Sequence, residues 1–118
     1  MNMIIYGIKN CDTVKKSLVW FNEHDAEFTF HDFKKAGLDK KTLVTWNKQC
    51  GLEKLINRKG TTYRGLTDAE KTLLEKDSTA FPIILEKPTL LRRPIIEVDG
   101  KVVALGFDVS GFEEAVKA

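Results

Sequence analysis

What this chain has little of narrows it first. Its 118 residues hold two cysteines, three prolines, two histidines and four arginines. Cys11 and Cys50 lie far apart, at neither a metal-ligand spacing nor that of a secreted disulfide framework, so a reducing compartment is expected. His24 and His31 have no Cys or His partner at ligand spacing, and no metal site is expected. Charge of one sign is not in excess: 19 basic residues face 17 acidic ones, for a net charge of +2. With the two signs interspersed, no basic stripe argues for nucleic acid or an anionic membrane. No apolar stretch approaches the ~20 residues of a membrane span, and no small-residue cleavage signal follows Met3-Ile4-Ile5-Tyr6. A cytoplasmic protein is expected.

What is present reads as an ordinary globular domain, with 42% hydrophobic and 31% charged residues. A chain of this length builds one core without staples. Residues 3 to 6 are wholly apolar and bounded by Gly7, the pattern of a strand buried on both faces. After Cys11 the period changes. Val14, Leu18 and Phe21 share one helical face opposite Lys15, Lys16 and Asn22. Phe28 to Asp32 alternates with period two and predicts a second strand, parallel to the first.

The middle of the chain predicts helices. Asp39 caps one that aligns Leu43, Trp46 and Cys50 on an apolar face, which makes Cys50 a buried core thiol. Gly51 ends it, and Leu52, Leu55 and Ile56 suggest a further turn before a loop over 57–62. Thr67 to Glu70 has capping-box form, predicting a helix to about residue 75. A short helix near 80–86 takes Pro82 in its first turn. Asp99-Gly100 then joins the runs 95–98 and 101–105 as a hairpin. Ser110 with Glu113 forms a second capping box ahead of a final amphipathic helix. The order β-α-β, helical middle, β-β-α is similar to the thioredoxin-like plan: an α/β fold, a mixed four-stranded sheet flanked by helices. It implies a single domain over 1–118, with a helical insertion at about 38–88.

Cys11 carries the chemical signal, because it sits where an apolar strand stops and a helix begins. The first amides of a helix point unpaired N–H groups and a partial positive charge at that place. A free thiol ionises near 8.5, and helix N-termini and nearby cations lower that value. Amides of Thr13 to Lys15, with Lys9, Lys15 and Arg93, supply both aids. Asn10 and Asp12 flank the cysteine with polar groups, whereas a structural cysteine sits within apolar runs; Asn10, Asp12 and Thr13 also suit simple capping. The four arginines, Arg58, Arg64, Arg92 and Arg93, all lie in one segment, and a planar guanidinium fork suits an anion. Arg92 and Arg93 point in opposite directions on extended backbone, which makes Arg93 the site candidate and leaves Arg92 solvated.

Y-G-I-K-N-C-D-T-V-K-K, R-K-G-T-T-Y-R, L-R-R-P-I-I and the closing L-G-F together resemble the arsenate-reductase-like (ArsC) family, and within it the YffB-like branch. The resemblance spans nearly the whole chain. It implies a cysteine nucleophile acting on a glutathione mixed disulfide or an oxyanion, with glutathione as co-substrate, glutaredoxin as a further partner and no tightly bound cofactor; a monomer is expected. Residue by residue it implies Cys11 as nucleophile, Arg93 as an anion-binding arginine and Pro94 as the cis-proline beside the thiol. A second anion-binding position falls at Arg58 or Lys59, with Arg64 and Asn10 as further candidates. A third arginine implied near Leu105-Gly106-Phe107 is absent, which argues against arsenate itself. The sequence also resembles the Spx type of transcription regulator, which implies an adaptor domain binding a protein such as RNA polymerase. That type carries C-x-x-C, whereas the third position after Cys11 here is Val14.

Overall fold

A computed structural model describes residues 2–118. In chain order the elements are β1 (Met3–Gly7), α1 (Asp12–Glu23), β2 (Thr29–Asp32), α2 (Phe33–Ala36), α3 (Lys40–Cys50), α4 (Leu52–Leu55), α5 (Thr61–Arg64), α6 (Asp68–Leu73), α7 (Asp77–Glu86), a 3-10 turn (Pro88–Leu90), β3 (Ile95–Val98), β4 (Lys101–Leu105) and α8 (Val109–Lys117). They form two compact units, one of the chain up to Ala36 together with Arg93–Ala118, the other of Gly37–Arg92.

The first unit carries the sheet, in the order β2-β1-β3-β4. β1 runs parallel to β2 and antiparallel to β3, with Ile5 opposite Ile96 and Tyr6 opposite Ile95. Because side chains alternate across a strand, Met3, Ile5, Ile96, Val98 and Ala104 share one face. Phe21 of α1 and Phe112 and Ala115 of α8 close over it as one apolar cluster. The rings of Phe21 and Phe112 meet at 4.7 Å. Each such side chain, fully buried, contributes about 1.5–3 kcal/mol, so this cluster fixes both helices to the sheet. The β3–β4 turn places Asp99 and Gly100 at φ 50° and 84°, the double left-handed geometry that a two-residue hairpin needs.

Two details differ from the sequence expectation in this unit. The cap of α8 is Asp108, whose carboxylate accepts the Gly111 N–H at 3.2 Å; Ser110 lies inside the helix. The earlier start sets Gly111 against β4, where a Cβ would stand 2.7 Å from the Val103 carbonyl oxygen. The cap of α1 is Cys11, not Thr13, which is the second helical residue. The Thr13 carbonyl accepts the hydroxyl of the buried Ser17 at 2.7 Å.

The second unit is helical. Asp39 caps α3 by accepting the Thr42 N–H, and Leu43 and Trp46 are fully buried. Thr67 and Glu70 make the reciprocal capping box of α6. The Glu70 carboxyl lies below its ordinary range, first because it accepts the Thr67 backbone N–H, then through the Thr67 side chain and the Lys87 charge. Residues expected as loop include α5, whose one turn begins at Thr61. The expected 80–86 helix starts earlier, at Asp77, so Pro82 sits within it rather than in its first turn. The missing N–H would have served the carbonyl of Ser78, an exposed residue.

Candidate functional site

One edge of the sheet gathers the candidate residues of the first unit. The antiparallel register that sets Tyr6 opposite Ile95, extended by one pair, brings Gly7 opposite Pro94. The chain leaves β1 at Gly7 and reaches Cys11 four residues later, so the thiol-bearing loop and the start of β3 share this edge. β4 ends there too, since Leu105 pairs with Ile95. The Gly106 N–H, on backbone at φ 76°, donates to the Pro94 carbonyl at 2.8 Å. The Arg93–Pro94 bond is cis.

Local sequence explains why Cys11 is held here. Gly7 is buried, and a Cβ at that position would lie 2.8 Å from Cγ2 of Val14, itself fully buried in the first turn of α1. Only glycine lets the helix begin this close to the strand. Cys11 then takes the N-cap, at φ −134° and ψ 122°, and its carbonyl accepts the Lys15 N–H at 2.9 Å. That bond removes Lys15 from the amides expected to face the sulfur. The N–H groups left without intrahelical partners are those up to Val14. The Cys11 side chain makes no capping hydrogen bond and is partly exposed.

The other candidates divide between the units. Asn10 is exposed in the turn before Cys11, and Arg93 is half-buried beside Pro94. Arg58, Lys59 and Arg64 belong to the second unit, all exposed: Arg58 and Lys59 in the turn before α5, Arg64 at its last position. Arg92 is not simply solvated. Its Nε donates to the Lys54 carbonyl at 2.7 Å and its backbone N–H to the Leu55 carbonyl, which ties it to the end of α4. Cys50 is partly rather than fully buried, because it is the last residue of α3 before the turn at Gly51. Burial pushes its thiol up, with the Lys54 charge acting the other way. Both thiols are free.

The sequence reading overlooked two residues at this edge, Lys16 and Phe107. The ammonium of Lys16 stands 4.4 Å from the centroid of the Phe107 ring. The signal available was Gly106, a residue whose positive φ turns the chain after β4.

A mixed four-stranded sheet, with a cysteine capping the helix after the first strand and a cis-proline opening the third, defines a thioredoxin-like protein. The chain belongs to the ArsC family, which matches residues 6–115. It is 43% identical over 111 residues to an uncharacterised protein of Haemophilus influenzae, covering 94% of this chain and 96% of that one. The solved structure of a YffB protein superposes with a TM-score of 0.89 at 36% identity, over 97% of this chain and 98% of the other. The global transcriptional regulator Spx of Streptococcus agalactiae is 29% identical over 101 residues, covering 84% of this chain and 72% of Spx.

Proposed function

We propose that the protein is a single-thiol reductase that uses glutathione. Cys11 attacks the sulfur of a glutathione mixed disulfide: a Cys11–glutathione disulfide forms, the substrate's S–S bond breaks, and the substrate leaves as a thiolate that takes a proton from solvent. A second glutathione thiolate then attacks the adduct, releasing oxidised glutathione and restoring the Cys11 thiolate. Per turnover, one mixed disulfide is reduced and one glutathione is converted to its half of the oxidised dimer.

The observation that carries this reading is Cys11 itself, a partly exposed N-cap residue whose side chain is committed to no capping bond. Charge developing on its sulfur meets the positive end of α1. Val14 occupies the place where a C-x-x-C protein carries its resolving thiol and is buried under Gly7, so the second thiol comes from solution. Arg93 and Asn10, which belong to the same unit as Cys11, are the groups we assign to the anionic part of the substrate.

The test is turnover of a glutathione–hydroxyethyl mixed disulfide, coupled to reduction of the oxidised glutathione formed. Wild type should turn over and Cys11→Ser should fall to the uncatalysed rate. Equal rates for the two would end the reading.

The likeness to Spx supports a second reading, an adaptor that binds a protein partner. Under it, Cys11→Ser would keep a specific partner in a pull-down and wild type would show no turnover.

A further inference from the structure

The two signs of charge, interspersed along the sequence, are sorted by the fold of the first unit. β1 and β2 run parallel and end together, with Gly7 opposite Asp32. The loop that carries Lys9 and Cys11 and the short α2 that carries Lys34 and Lys35 therefore leave the sheet from neighbouring strands, which stand about 4.8 Å apart. α1 starts at the same end and bears Lys15 and Lys16 in its first two turns. Lys9, Lys15, Lys16, Lys34 and Lys35 are all exposed, and among the described residues none of their ammonium groups is in an ion pair.

The carboxylates of this end are occupied by backbone amides. Asp32 accepts the Lys34 N–H at 2.9 Å, and Asp108 accepts the Gly111 N–H as the cap of α8. Asp12 stands in the first turn of α1, where the helix amides offset its charge. The opposite end of the sheet, where α1 finishes and β1 begins, gathers Glu23, Asp25, Glu27 and Asp99 instead. The positive end of this unit is thus the end that bears Cys11.

We propose that this end is a docking surface for an acidic polypeptide, so that the mixed disulfide brought to Cys11 is a glutathionylated cysteine lying among glutamates and aspartates. This substrate class rests on the reductase reading above, in which Cys11 takes the glutathione and the peptide leaves as a thiolate. Lysines are point charges on flexible stems, and here they are spread over a loop and two helices. They match several carboxylates spread over a surface, whereas a single small anion is better held by a guanidinium fork. Such charges act on the encounter, over a Debye length of roughly 10 Å at 0.1 M salt, and raise the association rate without touching the sulfur. Nucleic acid and phospholipid offer negative charge too, but neither carries a disulfide for Cys11 to exchange.

The experiment uses two synthetic peptides that differ only in charge, each with one glutathionylated cysteine, flanked by glutamates in the first and by glutamines in the second. Docking is read by fluorescence anisotropy of the labelled peptides with Cys11→Ser protein, which cannot exchange, and turnover is read with Cys11 intact. At low salt the glutamate peptide should bind and turn over about three- to tenfold better than the glutamine peptide, and the gap should close at high salt. Lys34→Gln with Lys35→Gln should lower binding and turnover of the glutamate peptide about threefold while leaving the glutamine peptide unchanged. Lys101→Gln with Lys117→Gln removes the same charge at the far end, since Lys101 opens β4 opposite Val98 and Lys117 ends α8; it should change neither peptide. Equal affinity for the two peptides, an unchanged affinity in the α2 variant, or an equal loss in the far-end variant overturns the proposal. If the glutamate peptide docks in the expected pattern but neither peptide is turned over, the reductase reading fails by itself and the docking surface stands.

Discussion

The two cysteines differ in what surrounds the sulfur. Cys11 stands at the start of a helix, partly exposed and making no capping bond, where negative charge is favoured. Cys50 stands at the end of one, where the macrodipole opposes a thiolate, and burial raises its pKa further. With iodoacetamide at neutral pH, peptide mass spectrometry should therefore find Cys11 labelled at least several-fold faster than Cys50; the reverse order would contradict this assignment. The raised thiol of Cys50 also has a sign in stability. Its contribution is complete below the unfolded thiol pKa and is lost as pH rises through the folded one, so Cys50→Ala should flatten the alkaline limb of the unfolding curve. Position 11 was legible in the sequence because a polar-flanked cysteine at a strand–helix junction is a local pattern. Arg92 was not, because its partner, the Lys54 carbonyl, is distant in sequence and no local pattern announces it.

Elements of this protein are set by caps and by glycines, and each has a measurable cost. Gly7→Ala would press a methyl group into Val14 at 2.8 Å; a β-branched side chain in a helix has little freedom to turn away. A loss of about 1–3 kcal/mol is expected, read as a lower midpoint in urea. Asp108→Ala should cost about 1 kcal/mol while Ser110→Ala stays near neutral; the opposite order would restore the Ser110 cap that the sequence suggested. In α6, Thr67→Ala should also cost about 1 kcal/mol. The lowered Glu70 carboxyl adds stability above the unfolded carboxylate pKa that disappears as pH falls through the folded one. Glu70→Gln should therefore flatten the acid limb. All four strands, the hairpin and the capping box at Thr67 were readable because periodicity and turn chemistry are local. The start of α8 was misread because two acceptors, Asp108 and Ser110, compete there. The contact that decides between them, Gly111 against the Val103 carbonyl, is tertiary.

For the whole molecule, the fold and the family came from order and motif together: β-α-β before a helical stretch and β-β-α after it, with Cys11 and Arg93-Pro94 at fixed places. Less of the candidate site was legible, because four of its residues lie in one unit and three in the other, and sequence spacing carries no distance between them. The pairing of Lys16 with Phe107, both in the first unit, was invisible because the two lie far apart in the sequence. The proposal for the molecule is that one thiol does the chemistry and a soluble thiol completes it. Intact-mass and peptide mass spectrometry of the protein after exposure to oxidised glutathione addresses that claim most directly. A single glutathione adduct is expected, on Cys11, removed by reduced glutathione and absent from Cys11→Ser. An adduct confined to Cys50, a Cys11–Cys50 disulfide, or no adduct at all would contradict it.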